Sequence, residues 1–140
     1  MKDQLKQLAD EISNMSLQER LVLASQSMNK YRFDIAQMII TEQPLTTVEQ
    51  IRLDAFLSST LRAREFAWLQ YRNGVIDADQ FSTERAVIGV IFDSSRIRRW
   101  WNSLGRQYAS EGFVRFIDAE LEERIATDEI WREVTTWDTE

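Results

Sequence analysis

The chain contains neither histidine nor cysteine in its 140 residues. Without histidine there is no imidazole to act as a general base near neutral pH, and without cysteine there is no thiol nucleophile and no disulfide. Most zinc sites are excluded as well, because they are built from these two residue types. The di-iron carboxylate type of helical bundle is excluded for the same reason, since it needs histidine ligands.

Proline and glycine are also scarce, with one proline and four glycines in the whole chain. All-β folds need many turns, so this scarcity predicts long helices and few loops. The longest strongly apolar run, residues 86–92, has seven residues, whereas a membrane-spanning helix needs about 20. The polar N-terminus also lacks the apolar core of a signal peptide. We therefore expect a cytoplasmic protein without a membrane segment, and the lack of cysteine fits a reducing compartment.

The net charge of the chain is −6. The phosphates of nucleic acids require a basic footprint on a protein, so nucleic acid is the least favoured partner. An acidic protein of this size is suited instead to contact with a protein that carries a basic surface. The length predicts one domain, 1-140, which is large enough to bury a core without disulfides or metals.

Signals for the beginning and end of helices are frequent along the chain. Capping sequences begin at Ser16, Thr46 and Asp77, where a side-chain oxygen can accept a hydrogen bond from the amide three residues on. Asn73-Gly74 is typical of a helix end, because glycine adopts the left-handed conformation without strain. These signals predict helices over about residues 2–12, 17–42, 47–72, 78–92, 96–104 and 111–126, with a weaker turn over residues 129–134.

The fold class that follows is all-α, an irregular bundle of five to six helices around one long central helix. That helix, residues 47–72, would be about 39 Å long, and its C-terminal half is apolar on nearly all sides. Such a helix lies at the centre of a core or of an interface, which favours a homodimer. Residues 87–92 are rich in β-branched side chains, but the cap at Asp77 favours a helix there. We expect aromatic side chains of the third, fifth and sixth helices to form the core.

The densest functional signal lies between Ser94 and Arg115, where five arginines and one glutamate give a local charge of +4. The two adjacent tryptophans of this segment lie about 100° apart on a helix, so we expect one of them to be partly exposed, as binding hot spots often are. Planar guanidinium groups bind carboxylate or phosphate in pairs. The candidate interaction surface is therefore Arg96, Arg98, Arg99, Trp100, Trp101, Arg106 and Arg115.

From Ile117 to Glu140 the balance reverses to −7, from nine acidic and two basic residues. The candidate acidic face within this segment is Glu120, Glu122 and Glu123. Two interpretations stay open: the basic and acidic segments pair with each other across the protein surface, or the arginine segment binds a protein or an anion. The tail also carries Trp131 and Trp137, which we expect to dock on the body of the protein or to insert into a partner.

No motif predicts a metal, a cofactor or a catalytic residue. Asp77-x-Asp79 lacks the glycine of a calcium loop, and Ile88 stands where that loop needs its last glutamate, so helix capping accounts for both aspartates. Phosphate loops, dinucleotide fingerprints and the Gly-x-Ser-x-Gly sequence are absent. A serine nucleophile would lack a histidine base, which leaves only carboxylate-based chemistry open.

Five short motifs follow one another over about residues 47–121. They are Tyr71-Arg72-Asn73-Gly74, Asp77 with Phe81, Arg99-Trp100-Trp101, Arg106 with Tyr108, and Phe113-Val114-Arg115-Phe116-Ile117-Asp118. In these motifs the chain resembles a loosely defined set of uncharacterised bacterial helical domains. The resemblance implies a helical fold and no known activity. Many members of that set look membrane-anchored through an N-terminal helix, whereas the N-terminal segment of this chain is polar.

These observations favour a non-catalytic protein-interaction module or a small acidic inhibitor or adaptor, for instance a phage- or plasmid-encoded antagonist of a host enzyme. The expected partner is a protein, and no cofactor or metal is expected. The alternative is a binder of a small anionic ligand or a carboxylate-based enzyme, with Arg98, Arg99 or Arg106 holding the anion. Direct binding of nucleic acid by the arginine segment is the weakest of the three hypotheses, because of the net charge.

Overall fold

Seven α-helices and one short 3-10 helix form the part of the chain that the structure describes. The computed structural model describes residues 2–138, without the side chains at positions 2, 8, 12, 23–25 and 27–29. The α-helices are α1 (Lys2–Ser13), α2 (Leu17–Ile40), α3 (Thr47–Arg72), α4 (Ala78–Ile91), α5 (Ser95–Ser103), α6 (Glu111–Glu122) and α7 (Glu129–Val134), and the 3-10 helix is Gly105–Tyr108. No β-strand occurs within this range, which confirms the all-α prediction.

The helix number exceeds the predicted five to six, because the weak turn forms as α7 and a 3-10 helix follows α5. The helix α6 ends at Glu122, four residues earlier than predicted. The long helix α3 has the predicted bounds, and the arrangement of the helices as an irregular bundle stays a prediction. Among residues 2–138, no helix combines the length and the apolar character that crossing a bilayer requires.

Tertiary contacts divide the chain into two compact units, residues 1–34 and 35–140. In the first unit, the Ser16 hydroxyl accepts a hydrogen bond from the Glu19 amide (3.2 Å) at the beginning of α2. Arg20 donates to the Ser13 carbonyl (2.9 Å) at the end of α1. The candidate interaction surface and the candidate acidic face both lie in the second unit, to which the last turns of α2 also belong. The single domain over residues 1-140 stays a prediction.

Local capping fixes where α3 and α4 begin. The Thr46 hydroxyl accepts from the Glu49 amide (3.2 Å), and the Glu49 carboxylate accepts from the Thr46 amide (2.9 Å). Asp77 and Gln80 form the same reciprocal pair at α4 (2.8 and 2.9 Å). At the end of α3 the chain turns at Gly74, whose φ of +77° only glycine adopts without strain.

The core of the second unit combines aromatic rings with aliphatic side chains. Trp101, Phe92 and Phe113 are fully buried, and the rings of Phe92 and Trp101 meet edge to face at 5.7 Å. Trp68 of α3 packs against Phe113 at 5.6 Å. Aromatic side chains of α3, α5 and α6 therefore meet in the core, as predicted. The end of α2, which the sequence did not indicate, and Trp131 of α7 also join this core.

Two aspartates join the turn between α4 and α5 to the segment before α7, and we call this pair the Asp93–Asp128 latch. The buried Asp93 carboxylate accepts hydrogen bonds from the Thr127 amide (3.0 Å), the Thr127 hydroxyl (2.9 Å) and the Ile130 amide (3.1 Å). In return, Asp128 accepts from the Ser95 amide (2.8 Å) and the Ser95 hydroxyl (2.7 Å) at the beginning of α5. The latch therefore fixes α7 next to α5.

The two tryptophans of the tail have different surroundings. Trp131 is buried, and its indole nitrogen donates to the carbonyls of Val90 (2.9 Å) and Ile91 (3.3 Å) at the end of α4. Trp137, by contrast, is 80 % exposed. Docking of the tail on the body is thus confirmed for Trp131 and does not extend to Trp137. Glu140, the last acidic residue of the tail, lies outside the described residues.

The latch makes stability depend on pH in a defined direction. Burial by itself raises the pKa of Asp93, but hydrogen bonds from Thr127 and Ile130 and the charge of Arg98 outweigh it, so the pKa lies below its ordinary value. A carboxyl group with a lowered pKa stabilises the folded state above its unfolded pKa of about 3.9. That contribution is lost as the pH falls through the lower pKa of the folded protein.

We expect Asp93→Asn to lower the free energy of unfolding at pH 7 by about 1–3 kcal/mol, because one carboxylate oxygen that accepts from Thr127 or Ile130 is replaced by an amide NH₂ group, which cannot accept. The difference from the wild type should shrink as the pH falls below about 3.9, the unfolded pKa, toward the lower pKa of the folded protein. Urea unfolding at pH 7, 5 and 3 measures both effects. Glu122→Gln, which removes an exposed carboxylate, is the matched control. Equal stability of Asp93→Asn and Glu122→Gln at pH 7 would contradict the role of the latch.

Candidate arginine and tryptophan interface

The helix α5 turns both of its tryptophans into the core. Trp101 has no exposed surface, and its indole nitrogen donates to Asp118 of α6 (3.0 Å). Trp100 is 9 % exposed, and its indole nitrogen donates to Asp54 of α3 (2.9 Å). The expectation that one of them is partly exposed is therefore wrong, because an acidic side chain on a distant helix accepts each indole N–H inside the core. One side of Trp100 still lines a surface groove.

Two of the predicted arginines bind within the protein itself. Arg98 donates from Nε to the carbonyl of Phe92 (2.8 Å) and from Nη1 to the carbonyl of Arg124 (2.9 Å). Arg106 forms a two-bonded ion pair with Asp118 (2.8 and 2.6 Å), and its guanidinium lies over the ring of Trp101 at 5.9 Å. Each of these guanidinium groups thus commits two of its five N–H donors to contacts within the fold, and the charge of Arg106 is paired with Asp118.

The guanidinium of Arg96 has one nitrogen that forms hydrogen bonds and one buried nitrogen that forms none. Its Nη2 donates to the carbonyls of Thr41 (3.0 Å) and Gln43 (2.8 Å), which ties the segment after α2 to α5. Its Nη1 is buried without a hydrogen-bond partner. Burial lowers the pKa of Arg96, and the neighbouring positive charge of Arg99 lowers it further. The negative charge of Glu49 acts in the opposite direction, but the pKa stays below its ordinary value.

Arg99 and Arg115 have exposed side chains. Neither side chain makes a hydrogen bond or an ion pair among the residues that the structure describes. They lie on different helices, Arg99 on α5 and Arg115 on α6. Within the predicted interaction surface, Arg99 thus lies beside Arg96, and the guanidinium of Arg99 forms no ion pair with a described residue.

Two depressions in the surface meet at Arg96 and Arg99. We call the first the arginine cleft; it has a volume of about 270 Å³ and is lined by Ile39, Ile40, Thr41, Glu42, Ser95, Arg96, Arg99, Asp128 and Arg132. We call the second the tryptophan groove; it has a volume of about 380 Å³ and is lined by Pro44, Leu45, Gln50, Leu53, Asp54, Arg96, Arg99, Trp100, Ser103 and Leu104. Two arginines of α5 therefore serve two neighbouring sites of different polarity.

The candidate acidic face is divided by the fold. Glu120 is buried and pairs with Arg85 (2.6 Å) and Arg124 (3.5 Å). Glu122 and Glu123 are exposed at the end of α6. The basic and acidic segments also contact each other directly through the pair of Arg106 with Asp118 (2.6 Å). Part of the charge asymmetry of the sequence is thus neutralised within the protein, and part of it stays at the surface.

Sequence reasoning missed the contribution of α7 to this region. Arg132 lies in the acidic tail of the sequence, yet it lines the arginine cleft beside Arg96 and Arg99. Asp128 reaches Ser95 across 33 residues of sequence. No local pattern signals either contact, because both follow from the latch between two distant segments.

The chemistry of the two depressions is limited to guanidinium groups, carboxylates and hydrogen-bonding groups. Their charged side chains are guanidinium groups, which do not titrate near neutral pH, and carboxylates. The best oriented carboxylates, Asp54 and Asp128, already accept hydrogen bonds from Trp100 and Ser95. Within the described residues, no three acidic side chains come together as they would around a metal ion.

The pair of Arg106 with Asp118 provides a test of the inner role of these arginines. We expect Arg106→Gln to lower the free energy of unfolding by about 1 kcal/mol, since a two-bonded and partly exposed ion pair is lost. Arg115→Gln should change it by less than about 0.5 kcal/mol, because exposed residues without partners contribute little. Thermal and urea unfolding of both variants measure the difference. Equal stabilities would show that the pair adds nothing to the fold.

Comparisons with known proteins leave the family of the chain open. No protein-family model, no curated protein and no solved structure matches it. The resemblance to uncharacterised bacterial helical domains therefore stays a prediction, and proposals about function have to depend on the geometry of the site.

Proposed function

We propose that the protein is a non-catalytic protein-interaction module, which binds an acidic segment of a partner protein in the tryptophan groove. The observation that carries this proposal is the free, exposed guanidinium of Arg99 at the edge of an apolar groove. On this proposal, the predicted irregular bundle around α3 is the scaffold that holds the groove. A cytoplasmic setting goes with the proposal, and the lack of cysteine in the sequence supports it.

The apolar part of the groove favours a protein ligand. Leu53 and Trp100 are buried side chains that line it, and Leu45 and the half-exposed Leu104 add further apolar surface. Arginine and tryptophan are the residue types most enriched in binding hot spots, where an apolar anchor of the partner fills a pocket. A partner segment with one large apolar side chain fits a depression of about 380 Å³.

The electrostatics of the groove favour an acidic ligand. Among its lining residues, Arg96 and Arg99 are basic and Asp54 is acidic. Asp54 accepts hydrogen bonds from Trp100 (2.9 Å) and Tyr108 (3.3 Å). Burial and then the neighbouring carboxylate of Asp54 raise the pKa of Tyr108. Two guanidinium groups against one carboxylate leave the lining of the groove with a formal charge of +1, which complements a carboxylate on the partner.

Selection of random twelve-residue peptides displayed on phage tests this proposal directly. We expect the wild-type protein to enrich peptides that combine aspartate or glutamate with a large apolar residue. Arg99→Glu should abolish that enrichment, because it places a like charge against the peptide. Arg115→Glu, the same charge change on an exposed arginine of α6, should enrich the same peptides as the wild type.

Circular dichroism of the three proteins before selection establishes that all are folded. Enrichment of the same peptides on Arg99→Glu would contradict the proposal, and so would a lack of any enrichment on the wild type. A basic consensus would instead favour the inhibitor hypothesis, in which the exposed Glu122 and Glu123 bind a basic partner.

Self-association through α3 is a second proposal, which a separate observation favours. Ile51 and Phe66, both 63 % exposed, leave apolar surface on the side of α3 away from its buried leucines. A homodimer would cover these side chains, and each buried aromatic ring adds substantially to association. We expect sedimentation equilibrium to give a dimer for the wild type and a monomer for Phe66→Glu. A monomeric wild type at millimolar concentration would rule this proposal out.

A further inference from the structure

We propose that the arginine cleft is a binding site for an oxyanion, a carboxylate or a phosphate group, held between the guanidinium groups of Arg96, Arg99 and Arg132. The site shares Arg96 and Arg99 with the tryptophan groove, but Arg132 belongs to the cleft alone. The inference therefore stands or falls separately from peptide binding in the groove.

The charges around the cleft are the first support. Three guanidinium groups line it, and none of them forms an ion pair with another described residue. Two carboxylates face them, Asp128 and Glu42. Asp128 is occupied by the amide and hydroxyl of Ser95 (2.8 and 2.7 Å), which also means that the beginning of α5 is already capped. A formal excess of one positive charge remains, and a single bound anionic group would balance it.

The state of Arg96 is the second support. The Nη1 atom of Arg96 is buried without a hydrogen-bond partner. The other two such atoms of the described residues, Arg64 Nε and Glu84 Oε2, form an ion pair with each other at 3.1 Å, whereas Arg96 Nη1 has no such partner. Arg96 donates only to neutral carbonyls and forms no ion pair with a described residue, and the carboxylate of Glu49 acts on its charge from beyond ion-pair distance. A partly buried charge without a directly bound counter-ion is costly. An anion in the cleft beside this guanidinium would reduce that cost.

The origin of the three arginines is the third support. Arg96 and Arg99 come from α5, whereas Arg132 comes from α7 and is brought to them by the Asp93–Asp128 latch. Gathering like charges raises the free energy of the folded protein unless an anion compensates for it. Arg99 and Arg132 are exposed and can reorient, and the fork of a guanidinium group suits two-bonded contact with carboxylate or phosphate.

Nuclear magnetic resonance of the arginine Nε–Hε groups tests the inference on the full-length protein. Inorganic phosphate and succinate are titrated separately at constant ionic strength, with chloride as the non-binding control. We expect saturable shifts of the Arg96, Arg99 or Arg132 signals with one of the two oxyanions. Arg132→Gln should weaken binding about tenfold, the loss of about 1.4 kcal/mol that removing one guanidinium contact can cause. Arg115→Gln should bind as the wild type does.

A second pair of variants keeps the inference apart from the proposed function. Leu104→Asn removes apolar surface from the tryptophan groove without adding a charge near the shared arginines, and it should abolish peptide enrichment without changing anion binding. Arg132→Gln should weaken anion binding about tenfold and leave peptide enrichment unchanged. Arginine Nε–Hε signals that shift in proportion to the oxyanion concentration without saturating, as with chloride, would overturn the inference. Equal affinities of Arg132→Gln and Arg115→Gln would overturn it as well.

The source of the anion follows from a further titration. Phosphoserine and glutamate, each blocked at both ends, represent an oxyanion carried by a protein. Tighter binding of a blocked residue than of free phosphate or succinate assigns the cleft to a partner protein, and the opposite order assigns it to a small molecule. Either order requires saturable binding that Arg132→Gln weakens. A lack of saturable binding for all four probes would refute the site.

Discussion

The reciprocal latch of Asp93 and Asp128 is the constraint on which the rest of the second unit depends. Each carboxylate satisfies backbone donors of the other segment, so the turn before α5 and the turn before α7 hold each other in place. Asp128 adopts a left-handed conformation with a φ of 65°, which costs energy for a residue with a side chain. Its hydrogen bonds with Ser95 offset this cost, and the result is that Arg132 reaches the arginines of α5.

The arginines of the candidate interface have separate tasks although the sequence presents them as one cluster. Arg98 binds backbone carbonyls, and Arg106 binds Asp118, which also holds Trp101 in the core. These two groups stabilise the unit from within. Arg96 and Arg99 form no ion pair with a described residue and lie where two depressions meet, one with apolar lining and one with polar lining. The proposed binding of an acidic segment beside an apolar anchor depends on this arrangement.

The sequence predicted most of the helix bounds because their causes are local. Thr46 and Glu49 are three residues apart, as are Asp77 and Gln80, so each capping box can be read directly. Predictions that required distant contacts were less complete. The end of α6 was placed four residues late, and both tryptophans of α5 proved to be buried. The acceptor of Trp100 lies 46 residues away in the sequence, and no local pattern indicates it.

The sequence by itself determined the helical class, the positions of the caps and the lack of histidine and cysteine chemistry, since these depend on residue types and on short spacings. Only the tertiary structure decided which arginines remain free. The side chains of Arg98 and Arg99 are identical and adjacent on one helix, and they differ only in what folding brings near them. Arg98 meets the carbonyls of Phe92 and Arg124, whereas Arg99 faces solvent. A hydrogen bond requires a partner within about 3 Å, and for residues distant in sequence only the folded chain provides one.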